Sequence, residues 1–217
     1  MVVPPTPTQT IPGFVINQLC ESAVELGFSS ILWQAENERF AKVMFELGFE
    51  PADTLYVLHR DIKTPLKPSF LPPWVSITRA KGYSYSDLEK IDHRCFEPFW
   101  QQDPLMMEDA RTSTPRASLK LAIDTRGPED TLVGFSLFGL GSHAAYLQRL
   151  AVDPDIWGNG IGSELVRRGL NWARRWRAQA VSVNTQSSNQ RALSLYQKLG
   201  FVLQPEMLWI LKKSCAN

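Results

Sequence analysis

Three glycines separate a predicted strand from a long amphipathic helix in the C-terminal half of this 217-residue chain. The strand ends at Val152, and the loop that follows contains Trp157-Gly158-Asn159-Gly160-Ile161-Gly162. Glycines let a backbone turn tightly and approach a ligand, and the first N–H groups of a helix lie at the positive end of its dipole. The loop therefore predicts a phosphate site, although it matches neither the P-loop nor the dinucleotide-binding glycine pattern.

The elements around this loop predict an α/β fold, more closely an α+β arrangement of a mixed sheet with helices on its faces. Antiparallel hairpins come first, and a strand–helix–strand segment follows the long helix. The predicted strands are 75–79, 119–124, 132–140, 145–152, 181–185 and 207–211. The predicted helices are 86–95, 161–177 and 190–199. Ser86 is the expected N-cap of the first, with Glu89 at capping-box spacing, and Trp172 and Trp176 should face the core from the second.

A second motif follows the glycine loop at residues 189–201, which read NQRALSLYQKLGF. Together the two motifs resemble the signature of the GNAT superfamily of acyl-CoA-dependent N-acetyltransferases. The resemblance runs from about Val75 to Lys212. It implies the GNAT acyl-CoA N-acyltransferase fold, acetyl-CoA as cosubstrate and no metal.

The resemblance also implies a role for individual residues. Backbone groups on the strand before the loop would hold the pantetheine arm and polarise the thioester carbonyl, as an oxyanion hole does; they belong to Leu150, Ala151 and Val152. Backbone N–H groups of the loop would hold the pyrophosphate; they belong to Gly158, Asn159, Gly160, Ile161, Gly162 and Ser163. Asn189 would contact the cofactor near its pantetheine. Tyr196 would be the catalytic acid that protonates the departing CoA thiolate.

Two positions depart from the family pattern. Trp157 stands where the family has Gln or Arg, so a polar contact to the cofactor is lost. Asn184 stands where some members have an acidic general base. An ordered water or another group must then deprotonate the amine, and Glu97 and His143 are the candidate side chains.

The acceptor is not specified by the residues. We expect direct transfer to a primary amine, either a protein N-terminus or a small molecule, because no cysteine lies at the motif to form a covalent intermediate. The alternative is a non-catalytic acyl-CoA-binding regulatory module, which Trp157 and the missing base would suit. Tyr196 separates the two hypotheses, because a binding module has no use for a phenol beside the thioester.

Composition excludes other classes of protein. The net charge of +1 does not favour a nucleic-acid binder. The basic cluster of the long helix is interpreted as its solvated face; it consists of Arg167, Arg168, Arg174, Arg175 and Arg177. No stretch approaches the ~18 apolar residues that span a membrane. The three cysteines share no metal-ligand spacing, so we expect reduced thiols in a cytoplasmic protein.

Prolines divide the chain into predicted segments. Residues 1–13 are expected to be a disordered lead-in, and residues 63–73 a Pro-rich linker, because repeated prolines preclude a helix. The linker separates a partial, GNAT-like half-domain at 14–62 from the N-acetyltransferase domain at 74–217.

The half-domain is predicted from an internal repeat. A shift of 152 positions places residues 29–50 on 181–202, with Asn37 on Asn189 and with the same Leu-Gly-Phe ending. This degenerate half-copy lacks the glycine loop and has Met44 where the second copy has Tyr196, so it cannot be a second active site. It should pack on the catalytic domain or on another subunit, as in a homodimer, because its apolar side chains need burial; they are Phe28, Ile31, Trp33, Phe40, Phe45 and Phe49.

Overall fold

The structure is a computed structural model that describes residues 12–66, 70–80 and 82–215. Its helices, α1 to α6, are Gly13–Glu25, Glu38–Glu46, Tyr85–Cys95, Pro104–Thr112, Ile161–Arg175 and Gln190–Lys198. Its strands, β1 to β8, are Ser30–Ala35, Glu50–Asp61, Val75–Arg79, Arg116–Asp124, Thr131–Leu140, Ala144–Val152, Ala180–Gln186 and Val202–Ser214. Two 3-10 turns lie at Pro98–Trp100 and Pro154–Ile156.

The chain forms two compact units, and neither is continuous in sequence. The larger unit contains Leu58–Val183 and Arg191–Val202. The smaller unit contains the described residues up to Val57, Asn184–Gln190 and those from Leu203 onward. The boundaries of the two compact units therefore differ from those of the predicted segments 14–62 and 74–217. Those two segments stay a prediction.

The larger unit is a mixed sheet with helices on both faces. Its strands follow the order β7-β6-β5-β4-β3. The pairs β3–β4, β4–β5 and β5–β6 are antiparallel, and β6–β7 is parallel. The predicted mixed sheet is therefore confirmed, and the parallel pair follows from the crossover through α5.

Alternation along the strands of the larger unit builds two apolar layers. Leu121 and Ile123 of β4 pack with Leu88 of α3 and Met107 of α4. Ala122, between them in sequence, faces the opposite layer. That layer also contains Val75, Val133 and two residues of α5, Ile161 and Leu165. The first turn of α5 is thereby fixed against the sheet.

The smaller unit has the strand order β1-β8-β2, with β1 antiparallel to β8 from Ser30 opposite Ser214. Its core consists of Ile16, Ala35, Ala41, Met44, Phe49 and Leu211. Four other apolar residues that were expected to need burial pack against this core; they are Ile31, Trp33, Phe40 and Phe45. The expectation is wrong for Phe28, which is 62% exposed because it lies in the turn between α1 and β1.

A disulfide joins Cys20 of α1 to Cys215 after β8, within the smaller unit. The expectation of three reduced thiols is therefore wrong for this pair. The backbone N–H of Cys215 also donates to the carbonyl of Ser29 at 2.9 Å. The partners are separated by 195 residues in sequence, so spacing alone did not pair them. A disulfide that closes so long a loop stabilises a fold mainly by restricting the unfolded chain. The cytoplasmic location stays a prediction.

Thiol titration at pH 8 should find no fast-reacting cysteine in the native protein, one in guanidine, and three after reduction. Cys95 is outside the disulfide, and burial raises its pKa to about 11. At pH 8 only about one molecule in a thousand then carries a thiolate, and reactivity should rise as the pH approaches the pKa. A Cys20→Ser variant should show two thiols in guanidine. Three thiols in unreduced wild-type protein would contradict the disulfide.

Two helix ends differ from the prediction. Helix α3 begins one residue before the predicted start, and its N-cap is Ser84, not Ser86. The Ser84 N–H donates to Asp87 Oδ2 at 3.0 Å, and the Asp87 N–H donates to Ser84 Oγ at 3.3 Å. Both serines precede an acidic residue at capping-box spacing, so the sequence did not discriminate between them.

Helix α5 ends at Arg175, which makes Trp176 its C-cap. The expectation that Trp176 faces the core is wrong: the side chain is 47% exposed, with the Arg116 guanidinium 4.0 Å from the ring centroid. A residue beyond the last turn of a helix no longer lies on the helix's apolar face.

Earlier in the same helix, Arg167 and Arg168 donate to the buried carboxylate of Glu164.

The predicted lead-in and linker are described only in part. Residues 1–11 lie outside the described residues, and Gly13 already begins α1, so the predicted boundary after residue 13 falls inside a helix. Residues 67–69 of the linker also lie outside them. The described linker residues, 63–66 and 70–73, form neither helix nor strand, as their prolines predict.

Arg60, just before the linker, is buried and holds carbonyl groups from two segments of the larger unit. Its guanidinium donates to Leu199 O at 2.7 Å, at the end of α6, and to Thr64 O at 2.7 Å. Helix α6 carries Tyr196, so Arg60 helps to fix the helix on which the predicted acid lies.

Among the described residues, no helix is long and apolar enough to cross a membrane.

Candidate active site

One edge of β6 is open along its second half. Ala144–Leu147 pair in parallel with Ala180–Val183, whereas pairing with β5 continues to Val152. In the described part of the chain, no strand pairs with β6 on the β7 side from Gln148 to Val152. Such an edge offers backbone donors and acceptors to an extended ligand, as a further strand would use them.

The backbone groups of β6 alternate between β5 and this open edge. The N–H of Asp153 donates to Val133 O at 2.9 Å, so this backbone group points toward β5. Ala151 pairs with Phe135 two residues earlier, so alternation directs its backbone groups toward β5 as well. The N–H and C=O groups of Leu150 and Val152 therefore point to the open edge. Of the three predicted pantetheine contacts on β6, these two direct their backbone groups to the edge along which an extended ligand would lie.

A β-bulge lies where β6 loses its parallel partner. Leu137 pairs with Arg149 and Phe138 pairs with Leu147, so Gln148 is the extra residue. The Gln148 side chain donates to Ala110 O at 2.6 Å and to Ser113 Oγ at 2.9 Å. The bulge turns the strand at this point and separates the paired half of β6 from the open half.

Arg149, next to the bulge, is held by three hydrogen bonds. Its guanidinium forms two hydrogen bonds with Asp92 of α3, at 2.6 and 2.7 Å, and one with Trp100 O at 2.7 Å. It also lies 3.5 Å from the ring centroid of Phe96. Asp92 is fully buried, and the side chain of Arg149 is 10% exposed. Sequence reasoning missed this pair; an arginine inside an apolar strand was its only local signal.

The glycine loop has the backbone that the phosphate site requires. Gly158 and Gly160 both have positive φ, 85° and 78°, which favours glycine. Gly160 is the N-cap of α5, and no side chain among the described residues caps the helix there. The first N–H groups of this 15-residue helix are therefore left for a ligand. Ile161 is buried in the core, so only its backbone can serve the predicted site.

Gly160→Ala should weaken CoA binding by about tenfold or more, and Gly158→Ala by less. Both substitutions place alanine at positive φ, at a cost of about 1–2 kcal/mol. A Cβ on Gly160 would also lie 2.5 Å from the carbonyl oxygen of Phe70, whereas a Cβ on Gly158 meets open space. Titration calorimetry with CoA and thermal denaturation of both variants check this. Equal losses in the two variants would contradict the close approach at Gly160.

Tyr196 is buried on α6, with its ring centroid 5.7 Å from that of Phe201. Burial raises its pKa well above the ordinary value, and the nearby Arg149 guanidinium partly opposes this. The phenol is therefore neutral, the form that can donate a proton. The preceding residue, Leu195, lies close to Gly162 at the start of α5: a Cβ on Gly162 would be 3.5 Å from its Cδ2 atom. Helix α6 thus brings Tyr196 to the side of the glycine loop.

The other predicted polar residues fall in different places. Asn189 belongs to the smaller unit, in the turn before α6, where its N–H donates to Gln186 O at 2.9 Å. Its cofactor contact stays a prediction. Asn184 is exposed on β7. Trp157 donates its indole N–H to Val152 O at 2.6 Å.

Only one of the two candidate bases lies near Arg149. His143 is in the β5–β6 hairpin turn, at the opposite end of β6 from Val152. Nine residue steps separate His143 from Val152, about 30 Å at the usual rise per residue, so His143 lies far from that end of the open edge, and its role as a base stays a prediction. Glu97 is exposed between Phe96 and the 3-10 turn, next to residues that contact Arg149.

A narrow apolar cavity adjoins the bulge on the α3 and α4 side of the sheet. Its lining consists of Tyr85, Leu88, Gln102, Met107, Leu119, Phe135, Leu137 and Arg149. Arg149 is its charged residue and is already held by Asp92. In the described chain, no group of three or more His, Cys, Asp or Glu side chains is placed to hold a metal ion.

A model of the acetyltransferase (GNAT) family matches residues 85–201, more than half of the chain. The chain belongs to the GNAT acetyltransferase family. The match contains α3, the open edge of β6, the glycine loop and Tyr196. The GNAT resemblance inferred from the two motifs is therefore confirmed.

Curated relatives of the chain are named as different acetyltransferases. Mycothiol acetyltransferase from Saccharopolyspora erythraea is 29% identical over 163 residues, 71% of this chain and 52% of the relative. Peptidyl-lysine N-acetyltransferase YjaB from Escherichia coli is 34% identical over 96 residues, 44% of this chain and 57% of the relative. The chain thus spans about half the length of these relatives.

A solved structure shows the same fold over the whole chain. It is a tandem GNAT protein from the clavulanic acid biosynthesis pathway, with a TM-score of 0.71 and 12% sequence identity. The match covers 100% of this chain and 74% of that one. At this identity the likeness shows the GNAT fold alone.

Proposed function

We propose that the protein is an acetyl-CoA-dependent N-acetyltransferase that transfers the acetyl group directly to a primary amine. The observation that carries the proposal is the open edge of β6, which ends at the uncapped start of α5 beside a buried, neutral tyrosine. An extended arm can bind along the edge while its phosphates bind at the helix start. That is the shape of acetyl-CoA, with a pantetheine arm and a pyrophosphate.

The chemistry assigns separate tasks to the residues of the site. Backbone groups of Leu150 and Val152 would hold the pantetheine, and a backbone N–H at this edge would stabilise the oxyanion of the tetrahedral intermediate. The N–H groups from Gly158 to Ser163 would hold the pyrophosphate. Collapse of the intermediate breaks the C–S bond, and Tyr196 would protonate the departing thiolate.

Direct transfer is favoured over a thiol intermediate. Cys95 is the cysteine closest to the open edge, and its thiol donates to Val152 O at 3.2 Å. Its pKa of about 11 keeps it protonated near neutral pH, so it is a poor nucleophile. The amine must attack the thioester itself, after losing a proton to water or to Glu97.

The acceptor is proposed to be the primary amine of a protein N-terminus or of a small molecule. The relatives are named for mycothiol and for peptidyl-lysine, so their names alone do not decide between a small and a protein acceptor.

The test is a panel of small amines and peptides with free N-termini, incubated with acetyl-CoA while released thiol is measured. Thiol release that depends on one acceptor class, together with a product heavier by one acetyl group, supports the proposal. The rival hypothesis is a non-catalytic acyl-CoA-binding module. Tight CoA binding without thiol release from any acceptor would favour that module.

We also propose that residues 14–62 are a degenerate half-copy of the catalytic domain. Helices α2 and α6 end with the same hydrogen bonds: Phe49 N–H to Met44 O and Phe201 N–H to Tyr196 O, each at 3.0 Å. The glycines before these phenylalanines have φ of 83° and 84°.

Deleting residues 1–62 should cause aggregation, because Leu211 loses its core partners. A soluble fragment with an unchanged oligomeric state would contradict the prediction that residues 14–62 pack on the catalytic domain or on another subunit, as in a homodimer.

A further inference from the structure

The Trp157 side chain is hydrogen-bonded to the last carbonyl group of the open edge of β6, that of Val152. Its indole N–H donates to Val152 O at 2.6 Å, and the Cys95 thiol donates to the same oxygen at 3.2 Å. A carbonyl oxygen has two lone pairs, so these two donors use its whole capacity. A ligand N–H that pairs with the edge at Val152 must therefore displace one of them.

The indole is held from a second side. The Arg191 guanidinium, at the start of α6, lies 3.6 Å from the centroid of the Trp157 ring. Such a stack of a cation on an indole is favourable even at an exposed site. Trp157 is 39% exposed, so its position rests on these two polar contacts more than on core packing.

Both contacts are ones for which acetyl-CoA can compete. The amide N–H groups of the pantetheine arm are donors for Val152 O, as the indole N–H is. The phosphates are anions that attract the Arg191 guanidinium more strongly than an aromatic face does, because a charge-assisted hydrogen bond is stronger than a cation–π contact at the surface. One cofactor can thus replace both interactions of the indole.

We infer that Trp157 is a latch: it closes the cofactor slot in the unliganded protein and is displaced from Val152 O when acetyl-CoA binds. The inference rests on the proposed function, because it takes the open edge to be the cofactor slot. It assigns a role to the residue that departs from the family pattern. Arg191 is the positioning residue that holds the latch closed and releases it to the phosphates.

The first measurement follows the indole N–H of Trp157 by ¹⁵N NMR in the full-length protein. The cross-peak is assigned by its loss in Trp157→Phe. In the free protein it should be protected from solvent exchange, because the N–H is hydrogen-bonded. Saturating CoA should move the peak and remove that protection.

The second measurement compares CoA affinity between variants by titration calorimetry. Trp157→Phe keeps an aromatic ring under Arg191 but has no N–H, so no hydrogen bond must break before the cofactor binds. The Kd should fall by roughly three- to tenfold, the worth of one net hydrogen bond. Trp176→Phe is the matched control, since Trp176 is also an exposed tryptophan stacked under an arginine, and its Kd should stay unchanged.

The outcomes separate the latch from the proposed function. If CoA binds the wild type while the Trp157 peak keeps its position and protection, the latch is overturned and the proposed function stands. If Trp157→Phe leaves the affinity unchanged or lowers it, the indole does not oppose the cofactor, and the latch is again overturned. If CoA binds neither the wild type nor any variant, the proposed function fails, and the latch fails with it.

Discussion

Replacing Tyr196 with phenylalanine should lower kcat by about 10²- to 10⁴-fold, the usual worth of a positioned proton donor. The Kd for acetyl-CoA should stay unchanged, because the phenyl ring keeps the buried packing against Phe201. The variant loses only the hydroxyl, so the leaving thiolate must take its proton from water. A loss confined to turnover identifies Tyr196 as a catalytic residue.

The measurement is steady-state thiol release with the best acceptor, alongside calorimetry with CoA. Tyr146→Phe is the matched control, because Tyr146 is an exposed tyrosine at the far end of β6, and its kcat should stay within about twofold.

Since burial raises the pKa of Tyr196 above its ordinary value of 10.0, the phenol stays protonated up to that pH. Tyr196 should therefore cause no loss of wild-type activity below about pH 10. Equal rates for wild type and Tyr196→Phe would refute the proposed acid.

Asp92→Ala should lower the free energy of unfolding by about 3–5 kcal/mol, the usual cost of breaking a buried ion pair. The substitution leaves the Arg149 guanidinium, with a side chain only 10% exposed, without its carboxylate partner. It also removes the acceptor of the Gln102 N–H, at 2.9 Å from Asp92 Oδ1. The bulge of β6 and the turn at Trp100 lose their common attachment to α3.

Urea denaturation of the wild type and two further variants checks the origin of that loss. Glu38→Gln is the surface control: it weakens the pair with Lys42, in which the two side chains are 66% and 68% exposed, and should cost below about 1 kcal/mol. The double variant Asp92→Leu/Arg149→Met should recover much of the stability, because an apolar pair can replace a buried ion pair. A single Asp92→Ala variant as stable as the surface control would show that the pair is not buried in solution.

Local patterns predicted the parts of the fold that depend on neighbouring residues. The strand at 75–79 was predicted at its observed bounds, since its short apolar alternation lies between turn residues. Helix α4 was missed because it is short, begins at a proline and shows little apolar periodicity. The N-cap of α3 was misplaced by two residues because two serines fit the same rule.

The candidate site divides in the same way. The glycine loop and Tyr196 lie in one continuous stretch that resembles the GNAT signature, so the resemblance predicted both. The pair Asp92–Arg149 and the disulfide Cys20–Cys215 join residues 57 and 195 positions apart, and no local pattern carries such information. The contact of Trp157 with Val152 spans only five residues, yet it depends on how the loop folds back on its strand.

Under the proposed function, acetyl-CoA binding at the open half of β6 would also affect the lifetime of the folded protein. Acetyl-CoA would complete the sheet at that edge, so it would bind the folded chain and not the unfolded one. At a concentration 100 times the Kd, such a ligand adds about 2.7 kcal/mol of stability. A cell short of acetyl-CoA would hold a larger unfolded fraction of this protein, exposed to its proteases. The abundance of the protein would then follow the supply of the acetyl donor, without any dedicated regulator.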